Sequence, residues 1–145
     1  MNDLQTKFTT LGVTAKKKAH IKACTYSLAV WDKFTRQGRD LFYQDSVVLM
    51  DHNIEKDLPK KALKAVIKNT PNNAIAGSYR EPICALQDMD WEPPRNIKYA
   101  YYSIYNLYRK YCEGMGIDDW LIINQSLSSQ TDESQWDEIL LNILS

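Results

Sequence analysis

The stretch "NIKYAYYSIYNLYRKY" occupies residues 96–111 and holds six of the chain's nine tyrosines. An α-helix turns ~100° per residue. On that wheel Ile97, Ala100, Tyr101, Ile104, Tyr105, Leu107, Tyr108, Tyr111 and Cys112 share an arc of about 160°. This is a core-facing side with phenolic oxygens at its edges, and buried phenols need hydrogen-bond partners. Tyr99 and Tyr102 fall outside the arc, with Lys98, Asn106, Arg109 and Lys110. Two readings stay open for them. Exposed Tyr beside Asn and Arg is the composition of a protein-binding surface. Alternatively, the two rings pack under the flanking proline loop or the C-terminal helices.

The flanks fix the ends of this helix. "DWEPPRN" at 90–96 contains Pro93 and Pro94, which cannot sit inside a helix but can deliver the chain into its first turn. Gly114 and Gly116 follow in the manner of helix C-termini. The spacing predicts a helix over about Arg95–Glu113.

Helical periodicity continues outward in both directions. Leu4, Phe8 and Leu11 mark a short first helix ending at Gly12. A second runs from about Thr14 to Arg36, stopped by Gly38, with Ile21, Cys24, Leu28, Trp31 and Phe34 on one side and Lys18, Lys22, Lys33 and Arg36 on the other. Residues 39–58 hold a short apolar run whose periodicity does not separate helix from strand; helical neighbours favour helix. Pro59 suits a first helical turn. Beyond it Ala62, Leu63, Val66 and Ile67 form an apolar stripe, while Lys60, Lys61, Lys64 and Lys68 face outward. "NTPNN" at 69–73 reads as a loop, and a brief helix is expected over Ile83–Met89. Asp118 can cap a helix from Asp119 to about Leu127, and Thr131 or Asp132 can cap the last one. That last helix has the stripe Trp136, Ile139, Leu140, Ile143 and Leu144, opposite Asp132, Glu133, Asp137, Glu138 and Asn142. The expected architecture is all-α: a compact single-domain bundle of six to eight helices spanning residues 1–145.

The chain's net charge is zero, with 18 basic and 18 acidic residues, but the charges are segregated. Residues 1–36 hold seven Lys/Arg against Asp3 and Asp32, whereas residues 111–145 hold seven Asp/Glu and no Lys or Arg. Segregation of this kind concerns electric field and partners rather than fold. One reading is that the basic start packs beside the acidic end. The other is that the acidic end meets a basic partner, where complementary fields speed capture and sharpen discrimination.

Other chemistry is thinly represented. Cys24, Cys84 and Cys112 are odd in number and form no CxxC pair, which fits reduced thiols in a cytoplasmic protein. The opening "MNDLQTKF" has no apolar run behind a basic start, so no secretory leader is expected, and no apolar stretch is long enough to span a membrane. No HExxH, GxSxG, P-loop or dinucleotide fingerprint occurs. His20 and Cys24 stand at i, i+4, a spacing that could in principle activate a thiolate, but the favoured reading is a core histidine beside a core cysteine. Asp51-His52 alone make no metal site. No cofactor or metal is expected. Lys16–Lys18 and the Lys60–Lys68 face are the basis for an alternative reading, a regulatory helical protein associated with nucleic acid.

Three segments are similar in layout to the small all-α immunity proteins of bacterial polymorphic-toxin and contact-dependent growth inhibition systems. They are "CTYSLAVWDKF" (24–34), "IKYAYYSIYNLY" (97–108) and "DESQWDEILLNIL" (132–144). The resemblance implies a cytoplasmic, non-enzymatic protein that binds a cognate toxin domain and blocks its active site or an exosite. The expected partner is a basic toxin domain. The expected contacts are Asp118, Asp119, Asp132, Glu133, Asp137 and Glu138, with Tyr99, Tyr102 and Arg109 as anchors.

Overall fold

A computed structural model describes residues 2–36 and 56–145. Among them are seven α-helices and no strand, so the all-α expectation holds. The helices are α1 (Asn2–Thr9), α2 (Val13–Arg36), α3 (Leu58–Lys68), α4 (Asn73–Gln87), α5 (Arg95–Cys112), α6 (Asp119–Ser128) and α7 (Trp136–Leu144). A 3-10 turn, Glu133–Gln135, leads into α7. No helix among the described residues is long and apolar enough to cross a membrane.

The tyrosine helix α5 is the hub. It packs against α2, α3, α4 and α6, and it can do so because its apolar arc is broad enough to meet neighbours on several sides. Tyr101, Tyr105 and Tyr108 are buried. Tyr101 lies 4.8 Å from the Trp31 ring, 4.4 Å from Tyr79 and 5.5 Å edge-on from Trp91. Such aromatic pairs add stabilisation beyond the area they bury. The hydroxyls of Tyr79 and Tyr108 find partners, whereas the buried Tyr101 hydroxyl has none among the described residues. Tyr79 donates to the Tyr101 carbonyl at 2.8 Å. Tyr108 Oη donates to the Asn72 carbonyl at 2.6 Å and accepts from the Asn72 N–H at 2.8 Å, pinning the α3–α4 connection to α5.

Small residues let α2, α5 and α6 approach closely. Ser103 Oγ on α5 donates to Ser27 Oγ on α2 at 2.8 Å, and the Cys24 thiol donates to the Ser103 carbonyl at 3.6 Å. A second apolar cluster, built on Phe8, Ala19, Ala23, Ile123, Leu127, Ile139, Leu140 and Ile143, joins α1, α6 and α7 to the opposite end of α2. Helix ends follow from sequence chemistry. The Asp118 carboxylate accepts from the Leu121 N–H at 3.0 Å at the start of α6. After α5, Gly114 takes φ +67°, a left-handed conformation that favours glycine, and the Met115 N–H returns to the Arg109 carbonyl at 3.0 Å.

Four expectations need correction or placement. The brief helix over Ile83–Met89 is part of a fifteen-residue helix, α4, which runs through Gly77 and Pro82. Pro82 removes one helical hydrogen bond, but burial of Tyr79, Pro82, Ile83 and Leu86 along the same face outweighs it. Asn106, expected outward, is buried because α6 covers it: its Nδ2 donates to Gln125 Oε1 at 2.8 Å. Ile67 is 56% exposed and leaves its stripe, whose buried members are Leu58, Ala62, Leu63, Ala65 and Val66. Of the ambiguous stretch 39–58, residues up to 55 lie outside the described residues, as does Asp51-His52; Leu58 already belongs to α3.

Candidate functional site

The acidic residues predicted as contacts divide into three groups. Asp118 and Asp132 are exposed and act as caps; Asp132 Oδ1 accepts from the Ser134 N–H at 3.0 Å and from Ser134 Oγ at 2.6 Å. Those bonds to the ionised form hold the Asp132 carboxyl below its usual value. Asp119 is different. It is half-buried between two lysines, with Lys110 Nζ at 2.7 Å and Lys16 Nζ at 3.4 Å. Burial works to raise its pKa, but bonding and attraction from Lys110, aided by Lys16, outweigh it and leave the carboxyl below its usual range. Its charge is therefore engaged inside the molecule, where the basic start meets the acidic end. Glu133, Asp137 and Glu138 form the third group, exposed in the 3-10 turn and the first turn of α7. Carboxylates there also favour the positive helix end.

Leu141, one turn beyond Asp137 and Glu138, is 52% exposed. Sequence reading missed it, although the signal was present: it is the one leucine of α7 off the apolar stripe. The exposed side of α7 is thus a leucine bordered by carboxylates.

The tyrosine-side candidates prove half-buried. Tyr99 borders the proline loop in a cleft with Trp91, Pro93, Arg95 and Lys98, and the Arg95 guanidinium lies 5.3 Å from its ring centre. Tyr102 packs on the core and shares a different cleft with Arg109, on the α4 side of α5. Both rings are thus partly covered, Tyr102 by the core and Tyr99 beside the proline loop. Glu133 lines a third cleft, with Arg95, Gln130 and Trp136; Arg95 also borders the Tyr99 cleft, whereas Tyr102 and Arg109 share a cleft that contains no carboxylate.

The basic run Lys16–Lys18 is split by helical rotation. Lys16 pairs with Asp119, Lys17 lies 5.3 Å over the Tyr111 ring, and Lys18 is exposed. On α3, Lys60, Lys61, Lys64 and Lys68 are exposed, and the last three line a cleft of about 430 Å³ against α4.

His20 and Cys24 do not act on each other. The His20 ring is buried, with Nε2 2.8 Å from the Asp119 carbonyl and Nδ1 2.6 Å from Tyr111 Oη. A carbonyl only accepts, so Nε2 holds the proton and Nδ1 accepts from the tyrosine. Both nitrogens are occupied. The Cys24 thiol faces Ser103 and Ser126 instead, and burial pushes its pKa up to about 12, the opposite of an activated thiolate. All three cysteines are free thiols. No group of three His, Cys, Asp or Glu that could hold a metal ion occurs among the described residues.

No family model, no curated protein and no solved structure matches this chain.

The His20 contacts make stability pH-dependent in a defined direction. Burial lowers its pKa from the ordinary 6.5, against the pull of the Asp119 carbonyl and carboxylate and with help from Lys110 and Lys16. The unfolded chain therefore takes up a proton near pH 6.5 that the folded chain resists, and stability falls as pH drops below that value. Urea midpoints should decrease between pH 7.5 and 5.5. In His20→Gln, whose amide can donate to the Asp119 carbonyl and accept from Tyr111 without titrating, most of that decrease should vanish. An equal decrease in both proteins would refute the assignment.

Proposed function

We propose that this chain is a non-enzymatic protein-binding module, an immunity protein that neutralises a toxin domain by docking the acidic face of α7 on a basic surface of the toxin. The supporting observation is the exposed side of the last helix and its entry turn, which carries Glu133, Asp137 and Glu138 and, one turn beyond the last two, the half-exposed Leu141. The segment from residue 111 to 145 contributes no Lys or Arg of its own. Carboxylates attract a basic domain from a distance and raise the association rate. Leu141 then supplies an apolar contact that gains free energy when the partner covers it and removes it from water. Occlusion of the toxin's active site or an exosite follows from the bulk of the bundle and requires no reaction by this chain.

The test is protection in cells. The reading frame beside this one should encode a larger protein whose C-terminal domain arrests growth when expressed alone. Co-expression of this chain should restore growth, and the two should co-purify. Growth arrest that persists at equal expression of a folded chain would overturn the reading.

A further inference from the structure

A cleft of about 390 Å³ lies between α4, α5 and α6, lined by Arg80, Ile83, Cys84, Gln87, Tyr102, Tyr105, Asn106, Arg109 and Gln125. Two of these residues are cations and none is a carboxylate. Two guanidiniums around one concavity without a counter-ion in its lining raise the local potential and favour an anion. The remaining polar lining is neutral and rich in hydrogen-bond donors: two phenols and three amides.

The walls are preorganised. Tyr105 is buried and stacks on Tyr79 at 5.1 Å, and the Arg109 guanidinium lies 5.2 Å from the Tyr105 ring centre. Asn106 is only 8% exposed and is fixed by its bond to Gln125 at 2.8 Å. A guanidinium held on an aromatic face loses less freedom when it binds a planar or tetrahedral oxyanion, and its fork allows two parallel bonds. The volume is that of a small-molecule site and exceeds what a bare inorganic anion fills. The cleft thus leaves room beside an oxyanion for an organic body, which the ring of Tyr102 and the side chain of Ile83 can contact.

We infer that this cleft binds an organic oxyanion, with Arg80 and Arg109 gripping a phosphate or carboxylate head and Tyr102 contacting the body. The site is separate from the α7 face, so its failure and the failure of the toxin-binding reading are distinguishable.

The experiment is a titration of the full ¹⁵N-labelled chain with three probes: inorganic phosphate, adenosine monophosphate and benzoate. Saturable shifts of the side-chain N–H signals of Arg109, Asn106 and Gln125 are expected for phosphate-bearing probes, for benzoate, or for both; the pattern identifies the head group. Arg80→Gln and Arg109→Gln should each weaken the best probe by about tenfold or more, the scale of losing a charge-assisted hydrogen bond. Arg109→Lys, which keeps charge but not the fork, should recover only part of that loss. Arg80 is exposed, so its variant tests the site without threatening the fold. Shifts confined to the α3 lysines, affinity unchanged in Arg80→Gln, or no saturable binding of any probe would each overturn the assignment.

Discussion

Replacing Trp31 with alanine should lower the free energy of unfolding by about 3–5 kcal/mol, the range for deleting a large buried aromatic side chain. Trp31 is fully buried where α2 meets α5, with ring centres 4.8 Å from Tyr101, 6.0 Å from Phe34 and 6.1 Å from Trp91. Its indole N–H also donates to the Lys56 carbonyl at 2.7 Å, tying the start of the α3 segment to α2. Deleting it opens a cavity that three rigid rings cannot close and leaves that carbonyl without its donor. Domains are typically stable by about 5–15 kcal/mol, so the loss is a large share of the total and should move the urea midpoint well below that of the native chain. Trp31→Phe fills most of the space and should cost less, about 1–3 kcal/mol from the lost hydrogen bond and residual volume. Urea denaturation followed by circular dichroism measures both. A Trp31→Ala loss under about 1 kcal/mol would show that the aromatic cluster is not what joins α2 to α5.

How much of this was legible in the sequence depends on whether the information was local. The limits of α5 were readable because Pro93 and Pro94 precede it and Gly114 follows it, and each acts on its own backbone. The Asp118 cap was readable for the same reason. The length of α4 was not, because Gly77 and Pro82 signal a break and only the neighbouring helices supply the burial that overrides them. Asn106 was placed outward because a helical wheel describes one helix, whereas Gln125 reaches it from another, nineteen residues away. Asp119 illustrates the same limit at the candidate site. As part of an acidic run it looked like a free contact, but Lys16 and Lys110 converge on it from two other helices. The exposed character of Glu133, Asp137 and Glu138 was legible, since it depends on the face of a single amphipathic helix. The Arg80–Arg109 cleft was not, because its lining comes from three helices.

With Asp119 paired to Lys16 and Lys110, and with Asp118 and Asp132 engaged as helix caps, the functional proposal concentrates on one short helix. Three carboxylates and one leucine remain, all on α7 and its entry turn. Reversal of two of those charges should therefore have a large effect on binding and little on folding. Asp137 and Glu138 are exposed, and the core of α7 rests on Ile139, Leu140 and Ile143. The helix-dipole contribution of two first-turn carboxylates is lost, at about 0.3–1 kcal/mol each, which a folded bundle should tolerate.

The decisive measurement is the affinity of the D137K/E138K double variant for the purified toxin domain, compared with the native chain at low and at moderate salt. The account predicts a dissociation constant raised by about 100-fold at low salt, the scale of placing two like charges in a complementary interface, a smaller difference at moderate salt, and an unchanged helical spectrum. Native-like affinity in the double variant would contradict it.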